Sequence, residues 1–477
     1  MESFWKRIVM AGGVLLAVPG LVLGINLFCL VPIMLFDQGS EAVPYGIASL
    51  TLAVLTLGAG WALFRQADRS LKGKPSKVLR LPPLYLGVGI FVLLLTAGLF
   101  FSDERHFLAG LLLPPILLVL AALPPLWAVS WFTPRPPDAR PQSKPETTSP
   151  GAEIDPAAVL RAKTISLEKT AQLESPPESG LTWRRGLVAF CGGATVSVLL
   201  AIILEILLPV AILALVFNAF SVVRGSLETL FNNLTSNTNL GQALTSPAFV
   251  YIFIQVAVIA PLVEELVKPL VTLPLLRHLN RREAFWVGAL AGAGFAALEN
   301  VIYAGSGLGI WAGILAVRAL GGALHPLGSG LTALGWRGIL RGEPDAPAQW
   351  LKYYALAVLA HAAWNGGSLL VITLGGAQFF GSLPAEIGIL GLPMAGTTLA
   401  FLLILGMAGL WVGRAYGHDR PLTASPAPEA DQPHDRDFVS WTVRQDRLSE
   451  RGVALWGVAC LLALVPAGIA GLELWLR

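Results

Sequence analysis

Charge is scarce in this chain. Only 13% of its 477 residues are Asp, Glu, Lys or Arg, while 55% are hydrophobic. Soluble domains carry about 25% charged residues, so a soluble globular fold is excluded. Cysteine is scarcer still. Cys29, Cys191 and Cys460 each stand alone in an apolar stretch, a spacing that excludes a disulfide framework and a cysteine-based zinc site. A net charge of +3 is too small to argue for nucleic acid as a partner. No HExxH motif is present. What the chain has instead is long apolar runs, with a mean hydropathy of +0.67.

Several of these runs reach the roughly 20 residues that span a bilayer. The expected fold is all-α, a polytopic helical membrane protein with about eleven transmembrane helices. They are placed at 8–36, 43–64, 81–101, 107–132, 187–217, 249–274, 284–304, 309–336, 351–373, 387–413 and 452–475. The start, MESFWKR, leads into a run too long for a signal peptide, so a retained first helix is expected. Basic residues at 65–80 and at Arg277, Arg281 and Arg282 contrast with the base-free 37–42 loop. This bias puts the N-terminus in the cytoplasm of a multi-pass protein of the cell membrane. Six regions follow. Residues 1–132 form a four-span membrane region. Residues 133–183, rich in Pro, Ser, Thr and Glu, form a disordered cytoplasmic linker. Residues 184–373 form the core, 374–414 a further helix, 415–450 a second cytoplasmic linker and 451–477 a last helix.

The informative residues are ionisable groups inside apolar runs. Glu264 and Glu265 lie between Phe249 and Leu276, with Lys268 one turn later. A carboxylate at bilayer depth costs roughly 2.5–3.5 kcal/mol on insertion scales, so a pair demands compensation. Glu264 and Lys268, at i,i+4, share a helix face, and Glu265 is rotated by about 100° from it. Pro261 and Pro269 flank the trio. Phe295 and Glu299 are again i,i+4, with Asn300 next in line. Arg318 and His325 fall on nearly one face, and His361 and Asn365 repeat the i,i+4 spacing. At 1.5 Å per residue, Glu264 lies roughly 20 Å, His325 roughly 18 Å and His361 roughly 15 Å from the basic edge, with Glu299 deeper at roughly 25 Å. A glutamate beside a histidine can activate water as a general base, and a second histidine with an asparagine can bind an oxyanion. The competing reading of Glu264, Glu265 and Lys268 is a buried ion pair that locks helix packing.

In order along the chain, EExxK (Glu264, Glu265, Lys268), FAALENVIYA (Phe295, Glu299, Asn300), a helix with Arg318 and His325, and HAAWN (His361, Asn365) resemble the PrsW family. These are glutamic-type membrane proteases, distantly related to the type II CAAX prenyl proteases. The resemblance covers about 250–370. It differs from the CAAX type at Glu299, where those relatives have a histidine. It implies a membrane-embedded peptidase with a glutamate-activated water, acting on a membrane-anchored protein substrate such as an anti-sigma factor-like protein.

The function expected is therefore an integral-membrane endopeptidase. Glu264 is the base and Glu265 its partner, His325 and His361 orient water or hold the oxyanion, and Asn365 assists. Arg318 and Lys268 tune charge. No cofactor is required by this reading, although a divalent metal is compatible with Glu and His as ligand types. The expected surroundings are lipid bilayer and protein substrate, with no nucleic acid. The alternatives are a proton- or ion-coupled transporter, which also uses intramembrane acids and broken helices, and a non-catalytic membrane scaffold.

Overall fold

A computed structural model describes residues 43–72, 79, 81–102, 109–133, 181–219, 247–306, 310–379, 385–418 and 452–460, with 462–463 and parts of 4–21. The described residues form helices and no strand. In chain order these are α1 (Val43–Leu71), α2 (Leu84–Phe101), α3 (Ala109–Phe132), α4 (Trp183–Gly192), α5 (Val198–Ala219), α6 (Pro247–Ile254), α7 (Ala260–Val267), α8 (Leu273–Leu276), α9 (Arg281–Ser306), α10 (Trp311–Leu320), α11 (Leu324–Arg341), α12 (Ala346–Phe379) and α13 (Ala385–Gly417). Two π-helical segments, Gly193–Ser197 and Gln255–Ile259, join α4 to α5 and α6 to α7.

Seven helical stretches among the described residues are long and apolar enough to cross a membrane. They are Leu84–Phe101, Leu112–Phe132, Trp183–Pro209, Phe249–Leu276, Arg281–Gly305, Ala346–Val371 and Pro393–Gly417. The protein is thus a polytopic helical membrane protein. Of the other expected spans, 43–64 falls within α1, while 8–36 and 452–475 lie largely outside the described residues. The stretch 309–336 is not one helix. It breaks at Gly321–Ala323 into α10 and α11, and the indole of Trp364 lies where a Cβ on Gly321 would be. The two linkers at 133–183 and 415–450 lie almost wholly outside the described residues.

α9 is the central helix. Its alanines and glycines let neighbours approach to backbone contact, the small-residue packing of membrane helices. A Cβ on Gly294 would stand 1.9 Å from the Phe190 carbonyl oxygen, and one on Gly292 2.4 Å from that of His325. α4 and α11 are thereby clamped onto opposite sides of α9. One hydrophobic cluster runs from Leu117 and Leu120 of α3 through Phe285 and Leu290 of α9 to Leu327 and Leu331 of α11. At the end of the bundle where α9 begins, Arg185 pairs with Glu283 at 3.1 Å, and Arg337 pairs with Glu343 while donating to the Leu279 carbonyl at 2.8 Å.

Candidate active site

Prolines shape the helix that carries the acid pair. Proline has no N–H and cannot complete a helical ladder. Within Gln255–Ile259 the i→i+5 pattern would pair the Val256 carbonyl with residue 261, which is a proline. The side-chain amide of Asn365 donates to that carbonyl instead, at 3.1 Å. Pro269 stops the ladder again. The chain passes through a 3-10 turn at Leu270–Thr272. Ser197, at the end of the other π segment, donates to the carbonyls of Val267 and Lys268 at 3.3 and 3.2 Å.

Between these two interruptions sit Glu264, Glu265 and Lys268, all buried. Lys268 is 0% exposed. Its Nζ stands 2.8 Å from Glu264 Oε2, 2.7 Å from Glu265 Oε1 and 2.7 Å from His325 Nδ1. The face of Phe295 closes the remaining side, with its centroid 4.5 Å from Nζ. The flexible lysine therefore bridges both glutamates, although their carbons point about 100° apart.

An ammonium only donates, so His325 Nδ1 accepts from Lys268 and the neutral ring carries its proton on Nε2. That nitrogen lies 3.4 Å from Glu299 Oε2. His361 has the opposite tautomer. Its Nδ1 donates to Glu265 Oε1 at 2.9 Å, and its Nε2 accepts from the Asn365 amide at 3.0 Å. The two imidazoles meet edge to face with centroids 4.6 Å apart. Glu264 Oε2 lies 3.8 Å from His361 Nε2. This oxygen is buried and has no hydrogen-bond donor: Lys268 makes an ion-pair contact to it, angled poorly for a hydrogen bond. Glu265 Oε2 also has no donor, but it packs where a Cβ on Gly328 would be.

A second shell of charge adjoins the first. Arg318 Nη2 pairs with Glu299 Oε2 at 2.6 Å, its Nε donates to Asn300 Oδ1, and its guanidinium covers the Tyr303 ring. Asn300 donates in turn to the carbonyl of Ala121 on α3 at 2.9 Å. Ala121 would pair with residue 125 in an unbroken helix, and residue 125 is proline. The pattern at Val256 thus repeats: a carbonyl freed by a proline is taken by an asparagine whose other contact lies in the site.

All ten residues singled out in the sequence are therefore brought into one connected network. Glu299, placed deeper by the rise along its helix, in fact reaches His325. Sequence reasoning missed Ser197, Ala121 and Tyr354, whose hydroxyl donates to the Leu262 carbonyl at 2.7 Å. Pro125, inside an apolar run, was the available signal for Ala121, since it leaves that carbonyl in need of a donor from elsewhere; Ser197 and Tyr354 had no such signal.

Three carboxylates (Glu264, Glu265, Glu299) face two fixed cations (Lys268, Arg318), so the cluster has one carboxylate in excess when all are ionised. Glu264, His325 and His361 each offer one ligand atom, and these atoms lie within 4.8 Å of one another. A carboxylate and two imidazoles form a donor set of the kind that holds zinc with an open position. With the excess negative charge and the donor-free Glu264 oxygen, the residues fit a divalent cation. Neither a curated protein nor a solved structure matches the chain. A protein-family model, described as PrsW family intramembrane metalloprotease, matches residues 182–392. That stretch holds every acid, base and histidine of the network, and it is the part of the chain that is similar to the PrsW family.

Proposed function

We propose that the protein is an integral-membrane endopeptidase that hydrolyses a peptide bond of a membrane-anchored protein, with Glu264 as the group that activates water. The match to the PrsW family model supports an intramembrane protease. The observation that carries the finer reading is the pairing of Glu264 Oε2, buried without a hydrogen-bond donor, with His361 Nε2 at 3.8 Å. With the Asn365 amide turned away from Nε2, one water would bridge the two groups at that separation. Glu264 takes a proton from it as its oxygen bonds to the scissile carbonyl carbon. When the C–N bond breaks, the same proton passes from Glu264 to the leaving amine, as general acid–base catalysis requires.

Glu265 fixes His361 and Lys268 and so keeps the base in place. Asn365 holds the His361 tautomer. Arg318 balances Glu299 beside His325. A divalent metal held by Glu264, His325 and His361 would add Lewis-acid polarisation of the carbonyl and activation of bound water. The substrate being unidentified, the test compares membrane proteomes of cells carrying the wild type, Glu264→Gln or no copy of the gene. A single-span protein should be shortened with the wild type only. The same shortened product in the Glu264→Gln cells would remove Glu264 from the role of base.

A further inference from the structure

Lys268 stands where a metal would need its ligands. Its ammonium is held by Glu264 Oε2, Glu265 Oε1 and His325 Nδ1 at 2.7–2.8 Å, with no solvent exposure and an aromatic face behind it. Two of those three atoms belong to residues of the candidate metal triad. His325 accepts from Lys268 through Nδ1 and directs its Nε2 proton at Glu299, so neither ring nitrogen has a lone pair to offer while Lys268 stays. Glu264 has its outer oxygen against the same ammonium. Two cations cannot share these ligands at contact distance without strong repulsion.

We propose that Lys268 is a built-in cation that competes with the divalent metal for Glu264 and His325 and thereby sets the metal affinity of the site. Metal enters only as the Lys268 ammonium leaves His325 Nδ1 and withdraws to Glu265, which is not one of the triad. The lysine side chain has the rotamer freedom for such a move, and Glu265 Oε2 is buried without a donor to receive it. The inference rests on the metal reading of the triad and not on peptide hydrolysis, so it is tested without substrate.

The experiment uses the full chain in detergent, stripped with a chelator and titrated with zinc sulfate against a chromophoric competitor. Bound zinc is counted by elemental analysis after desalting. Lys268→Met should bind one equivalent at least about 10-fold more tightly than the wild type, within the usual range of coupling between two ligands. Lys268→Arg, which keeps a cation there, should stay near the wild type. The gain should vanish in Lys268→Met/His325→Ala. Should Lys268→Met elute as aggregate, Lys268→Gln, which removes the charge but keeps a polar group and leaves Glu265 on His361, should show the same gain. Equal affinity of the wild type and the folded lysine-free variant would overturn the proposal. So would a gain that survives loss of His325, because the zinc would then sit elsewhere.

Discussion

Asn300 donates its side-chain amide to the carbonyl of Ala121 at 2.9 Å, and with its oxygen accepts from Arg318. Ala121 lies outside the family-matched stretch of 182–392. The charge beside His325 is therefore anchored on a helix that the family resemblance does not include.

Asn300→Ala should lower stability by about 1–3 kcal/mol, the cost of a buried carbonyl without its donor, read as a lower unfolding temperature in detergent. It should also lower activity, because Arg318 loses its second contact. Adding Pro125→Ala returns an N–H to the Ala121 carbonyl. That double variant should recover stability but not activity. Recovery of both would make Asn300 a packing residue alone.

The two glutamates should separate by phenotype. Glu264→Gln should abolish cleavage and leave expression and thermal stability near the wild type, since it gives up one ion pair with Lys268 but also removes the one carboxylate in excess of the cluster's cations. Glu265→Gln disturbs both Lys268 and His361, at about 1.5–3 kcal/mol for each charged hydrogen bond lost. Its melting temperature should fall clearly. Equal melting temperatures for the two variants would contradict this division.

His325→Ala and His361→Ala should each reduce the cleavage rate by about 100-fold, the scale of one acid–base or oxyanion contact. The double variant should lose much less than the product of the two, because both rings belong to one network. Single-turnover rates on an identified substrate check this. A near-normal rate in either single variant would take that ring out of the site.

Two glycine variants test packing against chemistry. A Cβ on Gly328 would stand 2.5 Å from Glu265 Oε2, a side-chain atom that can shift. Gly328→Ala should insert and fold, at about 1–3 kcal/mol of overpacking cost, yet lose activity. A Cβ on Gly294 would meet the Phe190 carbonyl at 1.9 Å. Backbone cannot yield in that way, so Gly294→Ala should fail to accumulate as folded protein. Size-exclusion profiles and cleavage together separate the two outcomes.

The acid pair, Lys268 and the histidines were legible because ionisable groups in apolar runs are costly and must meet partners. The i,i+4 spacing of His361 and Asn365 anticipated their contact. Lys268 stands i+4 from Glu264 and i+3 from Glu265, both spacings that meet on a helix, but periodicity could not show that the same ammonium reaches His325 on another helix. Apolar continuity from 309 to 336 also hid the break at Gly321–Ala323. The local sequence marks that break only by two glycines, Gly321 and Gly322, the first packed against an indole from a distant helix. The depth arithmetic for Glu299 assumed straight, parallel rods. The π segments and the broken helix make that assumption fail where the charges gather.

The π segment Gln255–Ile259 makes the site sensitive to chain length as well as to chain chemistry. Each residue added to or removed from a helix turns everything beyond it by about 100°. Removing one residue from that segment would restore a plain α-helical ladder, an apparent local gain. It would also swing the acid pair away from His361 or pull Pro261 out of register with Asn365. Side-chain substitution there should be well tolerated, whereas a one-residue deletion should be as damaging as loss of the base itself.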